Sequence, residues 1–298
     1  MHQVHSSFFL ISIIIPVYNA ANFIEEAVES AIHLKEVGEI LLIEDGSNDD
    51  SLEKCKKLAM SFSNVKLFTH EGNKNKGASE SRNLGIKKAT FSIVSFLDAD
   101  DIYCQNRFTK DIKVLTSNPT IDGCYSAIRY MNEPFGKVFT LRKKILPSKL
   151  FHFLLRGKYG HFHINGITLK KEVFNSVGYF NPNLRLHQDS EMWLRISFAK
   201  KLLGSELEES VGLIRRHEGN RIWKFQSNET KYLAYTSFYN WIIFKKIKIF
   251  DLFLLSRKIT LLQYKIEKRN YFILLIFNTV KFIFKNIRYK ITLQNVRN

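Results

Sequence analysis

Residues Ser92–Asp101 read Ser-Ile-Val-Ser-Phe-Leu-Asp-Ala-Asp-Asp, and the rest of the chain is organised around them. Apolar residues run up to Leu97, and then three carboxylates, Asp98, Asp100 and Asp101, arrive within four positions. A short β-branched and aromatic run bounded by polar residues is the pattern of a buried strand. Acids at its carboxyl end would lie on the rim where open α/β sheets bind ligands. Three carboxylates this close repel one another unless a cation lies among them. Asp98 and Asp100 are two apart, so a turn can aim both at one hard divalent ion. Taken alone, the stretch would serve equally as a solvated acidic turn capping the next helix.

Working outward, Ile11–Val17 is a near-continuous apolar run closed by Pro16, Tyr18 and Asn19, as in parallel strands covered on both faces. Asn22 and Glu25 have capping-box spacing, and Phe23, Ala27, Val28, Ala31, Ile32 and Leu34 follow a helical period. Ile40–Ile43 is a second buried strand ending at Glu44-Asp45-Gly46-Ser47. Leu52, Cys55, Leu58, Ala59 and Phe62 mark a second helix, Asn64–Thr69 a third strand, and Gly77 to Ala89 a third helix. Strands and helices alternating through the first hundred residues predict a doubly wound parallel sheet with right-handed crossovers. No G-x-G-x-x-G follows the first strand, so the dinucleotide fingerprint is missing. The loops after strands one, two and four should converge on one crevice.

From about 102 to 220 the pattern is less regular. Ile121–Tyr130, Lys137–Leu141, Ile164–Leu169 and Ser210–Arg215 are expected strands. Lys171–Val177 is an expected helix closed by Gly178, and Gln188–Ala199 a helix with Met192, Trp193, Ile196 and Ala199 on its apolar positions.

The chain has 298 residues and 45% apolar content, enough for one large α/β domain with an appendage. Cys55, Cys104 and Cys124 are odd in number and share no metal-ligand spacing, which suits reduced core residues of a cytosolic protein. Residues 1–19 do not read as a signal peptide, and no run of 18 apolar residues indicates a membrane span. Formal net charge is +17; residues 240–298 hold 13 Lys or Arg against Asp251 and Glu267. Such a basic segment suits an anionic membrane, nucleic acid or acidic ligands.

Four motifs in series resemble glycosyltransferase family 2: Ile13-Ile14-Ile15-Pro16-Val17-Tyr18-Asn19; Ile43-Glu44-Asp45-Gly46-Ser47; Asn75-Lys76-Gly77 with Ser81-Arg82-Asn83-Leu84-Gly85; and Leu97-Asp98-Ala99-Asp100-Asp101. The resemblance implies a GT-A-like doubly wound, mostly parallel, Rossmann-like sheet with a helical C-terminal extension. It divides the chain into a nucleotide-sugar-binding half (1–101), an acceptor-binding half (102–225) and a basic amphipathic helical tail (226–298). It implies that Asp45 pairs with the nucleotide base, that the backbone of Pro16, Val17 and Tyr18 lies against base and ribose, and that Arg82 approaches the diphosphate. Asp98 and Asp100 match the Asp-X-Asp motif, Asp100 as the ligand of Mn²⁺ or Mg²⁺ and Asp98 near ribose or metal. Glu44 stands where the family has Asp, and its longer reach leaves it outside the expected site.

In the second half, His187-Gln188-Asp189-Ser190-Glu191 resembles the family's Glu-Asp motif at a helix start, with Gln188 in place of Glu; Gly178-Tyr179-Phe180 precedes it as Gly-x-Phe does. On that match Asp189 is the general base, with Glu191 the fallback, although two positions along a helix it points about 200° away. Read without the resemblance, Asp189 is a helix cap. Arg216-His217 resembles the family's late Arg-x-His segment, which offers His217 as a further metal ligand or phosphate contact. His161 and His163 fall in an acceptor-like region and read as polar edge residues.

In the tail, Tyr271–Phe284 is mostly aromatic and aliphatic, with Asn278, Lys281, Lys285 and Arg288 on one helical stripe. A basic stripe beside a broad apolar face suits a helix lying in a membrane interface, and Trp241–Phe250 is a second basic-aromatic patch. The opposing expectation is a helical pair packed on the catalytic domain with its lysines in water.

The function implied is inverting transfer of a sugar from a nucleotide diphosphate donor, a UDP-sugar, to a glycan or lipid-linked acceptor hydroxyl in surface polysaccharide assembly. The place expected is the cytoplasmic face of the cell membrane, held peripherally through the tail, with no nucleic-acid partner. A sugar nucleotidyltransferase would open with a Gly-rich loop where Pro16-Val17-Tyr18-Asn19 stands. A non-catalytic membrane or nucleic-acid adaptor would have no use for Asp45, Asp98, Asp100 and Asp189 together. No Gln-x-x-Arg-Trp segment is present, so single rather than processive transfers are expected.

Overall fold

An apolar run interrupted by Ser12 alone needs cover on both faces, and β1 (Ile11–Val17) obtains it in the interior of a seven-stranded sheet. The computed structural model describes residues 9–131, 144–217, 219 and 227–268, with 271, 273, 275, 276, 278–280, 283 and 284. The first half runs β1, α1 (Ile24–Ile32), β2 (Val37–Glu44), α2 (Ser51–Ser61), β3 (Val65–Thr69), α3 (Ala78–Lys88) and β4 (Ile93–Phe96). The second runs β5 (Ile102–Tyr103), α4 (Thr109–Ser117), β6 (Gly123–Tyr125), β7 (Arg129–Tyr130), α5 (Pro147–Arg156), β8 (Ile167–Lys170), α6 (Val173–Val177), α7 (Gln188–Ala199), β9 (Leu202–Gly204), β10 (Gly212–Ile214), α8 (Asn228–Ile242) and α9 (Ile249–Glu267).

The main sheet has the order β3-β2-β1-β4-β8-β6-β9, and a small sheet has β5-β10-β7. β1 pairs in parallel with both β2 and β4, whereas β8 runs antiparallel to its neighbours β4 and β6. The sheet is therefore mostly parallel. Alternation along β1 splits the core. Ile11, Ile13, Ile15 and Val17 face a cluster built with α1, α2 and α4, while Ile14 joins Ile43, Val94 and Phe96 on the other face, under α3, α5, α6 and α7. α3 lies so close to β1 that a Cβ on Gly85 would stand 2.3 Å from an Ile14 methyl carbon. The buried Arg107 braces the β4–β8 seam: its guanidinium donates to Asp111 Oδ2 at 2.8 Å, Ser95 Oγ at 2.9 Å and the Ile167 carbonyl at 3.0 Å.

Three expectations change, and a fourth is not tested. The capping box at Asn22 does not form; α1 starts at Ile24 without a side-chain cap. The chain leading into it is held from the start of α2 and the loop before it, Ala20 N–H by Ser51 Oγ at 2.8 Å and Ala21 N–H by Asp49 Oδ2 at 3.1 Å. Ile121–Tyr130 is two short strands rather than one, because the chain leaves the main sheet after Tyr125 and joins the small sheet at Arg129. Ile164–Gly166 is a 3₁₀ turn preceding β8. The expected strand Lys137–Leu141 lies outside the described residues.

The C-terminal helices are not separate from the domain. Phe238, Tyr239 and Ile242 of α8 and Leu252, Leu255 and Ile259 of α9 belong to the same buried cluster as Phe180, Met192 and Trp193. Each fully buried side chain of this kind contributes about 1.5–3 kcal/mol. The described residues between 271 and 284 are helical and pack along α9, where Asn278 donates to Thr260 Oγ1 and Gln263 Oε1, both at 3.0 Å. Asn278 thus points into the protein and not along an outward polar stripe; Lys281, Lys285 and Arg288 lie outside the described residues. No helix among the described residues is long and apolar enough to cross a membrane.

Candidate active site

The carboxyl ends of β1, β2 and β4 open onto one cleft of about 900 Å³, and the segments before α7 and after β10 close its far side. Pro16, Val17, Tyr18, Asp45, Arg82, Asp98, Asp100, Asp189 and His217 all line it. These nine expected site residues are therefore brought to one cavity.

The β2–α2 turn explains how Asp45 is presented. Glu44 is fully buried and accepts the N–H groups of Gly46 at 3.1 Å and Ser47 at 2.6 Å, so it anchors the turn from below. Gly46 has φ +70°, and a Cβ there would stand 2.6 Å from the Asn73 carbonyl oxygen. Asp45 accepts the N–H groups of Lys76 at 2.7 Å and Gly77 at 2.9 Å, fastening this turn to the start of α3. Burial pushes its carboxyl above the usual range, and those hydrogen bonds pull the other way. Asn19, with φ +50°, is a turn residue whose Oδ1 accepts the Asn48 N–H at 2.9 Å.

Leaving β4, the chain sends its three acids in different directions. Asp98 accepts from Arg82 Nη2 at 2.7 Å. Asp100 Oδ2 is 2.8 Å from Nε2 of His217, whose ring packs at 4.8 Å centroid distance from Phe23. Asp101 turns inward, where Oδ2 accepts from Asn165 Nδ2 at 2.6 Å and Oδ1 from the Arg215 N–H at 2.8 Å. Burial, with Asp100 and Asp98 alongside, pushes the Asp101 carboxyl well above the ordinary range. Asn165 also accepts the Asp98 N–H at 3.0 Å, so one buried amide fixes two members of the acidic turn.

Ligand atoms of Asp98, Asp101 and His163 lie within 4.8 Å of one another. Burial pushes the His163 imidazole below its ordinary value, with the carboxylates of Asp98 and Asp189 opposing. Carboxylate oxygens and imidazoles converging in this way form a donor set that fits a hard divalent cation. The sequence implied Asp100, Asp98 and His217 as its holders, and Asp98 also belongs, with Asp101 and His163, to the adjoining set.

Across the cleft, α7 begins at Gln188 after His187, whose φ is +61°, and no side chain caps its amino end. Asp189 is half-buried, and its Oδ1 accepts the N–H of the next residue, Ser190, at 2.8 Å. Glu191, by contrast, is buried and bound: Oε2 accepts from Arg195 Nε at 3.0 Å and Nη2 at 2.7 Å, and Oε1 from Ser237 at 3.1 Å. Arg195 in turn donates to the carbonyls of Val177 and Tyr179, both at 2.8 Å. Burial pushes the Glu191 carboxyl up and Arg195 counters it. Glu191 therefore braces the Gly178-Tyr179-Phe180 segment. Asn83 holds the same segment from α3, donating to the Phe180 carbonyl at 2.9 Å and accepting its N–H at 2.8 Å.

Reasoning from the sequence passed over Asn165, Arg215 and the ligand geometry of His163. Their partners lie 60 or more residues away in sequence, and no local spacing marks them. Asn83 sits inside a recognised motif, yet its bonds to Phe180 span 97 positions.

The sequence model of "Glycosyl transferase family 2" matches residues 12–178. The minor teichoic acid biosynthesis protein GgaA of Bacillus subtilis is 25% identical over 216 residues, 70% of this chain and 48% of that protein. An uncharacterized glycosyltransferase of Rickettsia felis is 31% identical over 191 residues, 63% of this chain and 31% of that protein. The chain thus spans 31 to 48% of the length of these curated relatives. Among solved structures, S. aureus TarS 1-349 in complex with UDP-GlcNAc superimposes with a TM-score of 0.69 at 16% identity, covering 86% of this chain and 73% of that one. The mannosyltransferase PcManGT from Pyrobaculum calidifontis, in complex with GDP-Man and Mn²⁺, gives 0.57 at 15% identity over 96% and 84%. These likenesses show the GT-A fold.

Proposed function

The chain belongs to glycosyl transferase family 2, and on that premise we propose that it transfers a sugar, with inversion, from a UDP-sugar to a hydroxyl of a glycan or lipid-linked acceptor. The observation that carries this reading is the convergence of the base-side turn at Asp45, the Arg82–Asp98 pair, the Asp100–His217 pair and Asp189 on one cleft. Arg82 is 5% exposed, and its Nε and Nη1 have no hydrogen-bond partner among the described residues. A buried guanidinium with two unsatisfied donors suits a ligand that brings oxygens, such as a diphosphate. Asp45 and the backbone from Pro16 to Tyr18 would hold the nucleotide.

Asp189 lines the cleft at the start of α7 and would take the acceptor hydroxyl's proton in a single in-line displacement. A bound Mn²⁺ or Mg²⁺ supplies neutralisation of the charge that builds on the leaving diphosphate. Arg82 adds a fixed positive charge there without reorganising. Surface polysaccharide or teichoic acid assembly is the setting proposed, at the cytoplasmic membrane face, with the basic C-terminal region on anionic lipid.

A calorimetric titration of UDP, GDP and their sugars with Mn²⁺ tests this. The reading expects UDP and UDP-sugars to bind preferentially, with slow release of UDP that an acceptor accelerates. Absence of binding by every nucleotide would overturn it.

A further inference from the structure

Ten of the sixteen exposed large apolar side chains among the described residues lie between 244 and 284. The catalytic cleft does not use them. They form ordered stripes. On α9, Phe250 (56% exposed), Phe253 (41%), Leu261 (42%) and Tyr264 (40%) follow helical spacing, with the exposed Arg257 among them. The opposite face of α9, Leu252, Leu255 and Ile259, is buried in the core. The first residue of α9, Ile249, is 70% exposed, and the turn before it adds the exposed Lys246 and Lys248, which have no carboxylate partner among the described residues. Of the two acids of α9, Asp251 is buried and held by His152 Nδ1 at 2.6 Å, and Glu267, at the far end of the helix, accepts from Gln263 Nε2 at 3.0 Å. Beside the stripe, an apolar groove of about 240 Å³ opens between Phe250 and Phe253 on one side and Thr279 and Ile283 on the other.

We propose that this face, the α8–α9 turn with the outer stripe of α9, docks on the surface of an anionic lipid bilayer. The proposal deepens the reading above by naming the surface that would bring the cleft to a lipid-linked acceptor. Apolar side chains flanked by cations on a helix anchored from behind are the arrangement of an interfacial element. Large exposed apolar patches mark interaction sites. The cations select the partner. A second copy of the chain would set Lys246, Lys248 and Arg257 against their own counterparts, whereas an anionic bilayer complements them. The docking element is thus part of the folded domain, and the chain lies on the membrane without spanning it.

The test is co-sedimentation of the full chain with phosphatidylcholine vesicles, with and without phosphatidylglycerol, at low and high salt. Binding is expected with phosphatidylglycerol and should fall with salt, because screening removes the charge contribution. Lys246→Glu with Lys248→Glu should weaken it by about 25-fold or more, since each lysine near an anionic surface is worth about fivefold. Phe250→Ser with Phe253→Ser should weaken binding and make the remainder more salt-sensitive. Both variants should bind UDP as the wild type does, which shows that they fold. Wild-type protein left in the supernatant, or variants that sediment like wild type, would overturn the proposal. So would a wild-type dimer in sedimentation velocity that both variants abolish without vesicle binding, which would make the face a self-interface. If vesicles bind but no nucleotide does, the docking surface stands and the transferase reading fails.

Discussion

Arg82 reaches from α3 to the turn after β4 and donates Nη2 to Oδ1 of Asp98 at 2.7 Å, while its guanidinium carbon lies 5.7 Å from the Phe180 ring centroid. The pair leaves two guanidinium nitrogens for a ligand, and the planar fork is what makes this possible. Lysine keeps the charge but offers a single point of contact. Arg82→Lys should therefore leave the fold intact and weaken UDP binding by about 10- to 100-fold. That corresponds to about 1.5–3 kcal/mol for a lost charge-assisted hydrogen bond. Calorimetry with a thermal melt on the same sample checks both halves.

Asp189 and Glu191 lie two positions apart on α7 and should behave as different kinds of residue. Asp189→Asn should lower turnover by about 10²- to 10⁴-fold with donor affinity unchanged, as loss of a general base does. Glu191→Gln removes one charge from a buried pair that supports Val177 and Tyr179 through Arg195. Breaking such a pair costs about 3–5 kcal/mol, so this variant should show a lower Tm first and a loss of activity as a consequence. A Glu191→Gln enzyme with a wild-type melt and the larger fall in kcat would reverse the assignment.

The first half of the chain was legible because its information is local. A parallel strand covered on both faces is a nearly continuous apolar run, and the loop after it carries its cleft-lining groups within four or five residues. Ile11–Val17 with Tyr18, and Ile43 with Asp45, can be read off in one pass. The turn that holds Asp98 in place was not legible, because Asn165, 67 positions away, accepts its N–H. The capping box at Asn22 did not form, and the segment leading into α1 is instead held from outside, Ser51 and Asp49 accepting the N–H groups of Ala20 and Ala21. Helical period identified the apolar residues of the C-terminal region. It left open whether that face meets lipid or protein, and α9 meets the core with one side while exposing aromatic residues on the other.

Acid stability should depend on Glu39 at the back of the sheet. Burial pushes its carboxyl up, but hydrogen bonds from Lys66, Ser12 and Thr90 outweigh this and hold it at about 2, down from 4.5. A carboxyl depressed in the folded state stabilises it above the unfolded pKa, and the stabilisation is lost as pH falls through the folded value. The Tm of the wild type should therefore fall between about pH 4.5 and about 2. Glu39→Gln should lower the Tm at neutral pH and flatten that part of the profile. A variant with the same slope would show that the loss arises elsewhere.

The acidic turn is shared between two histidines. Asp100 faces His217 at 2.8 Å, whereas Asp101, near His163, already accepts one hydrogen bond on each oxygen, from Asn165 and from the Arg215 backbone. A ligand whose oxygens are engaged this way is better placed to hold the turn than to coordinate an ion. Asp100→Asn and His217→Ala should therefore weaken UDP binding in Mn²⁺ and leave the weak binding in EDTA unchanged, because the lost contribution runs through the ion. His163→Ala should keep the Mn²⁺ effect. Asp101→Asn should lower Tm before it alters metal dependence, through the lost anchor for Asn165 and Arg215. Titrating Mn²⁺ against each variant at fixed UDP gives the answer in one series. If His163→Ala abolishes the Mn²⁺ effect and His217→Ala retains it, the ion is held by Asp98, Asp101 and His163.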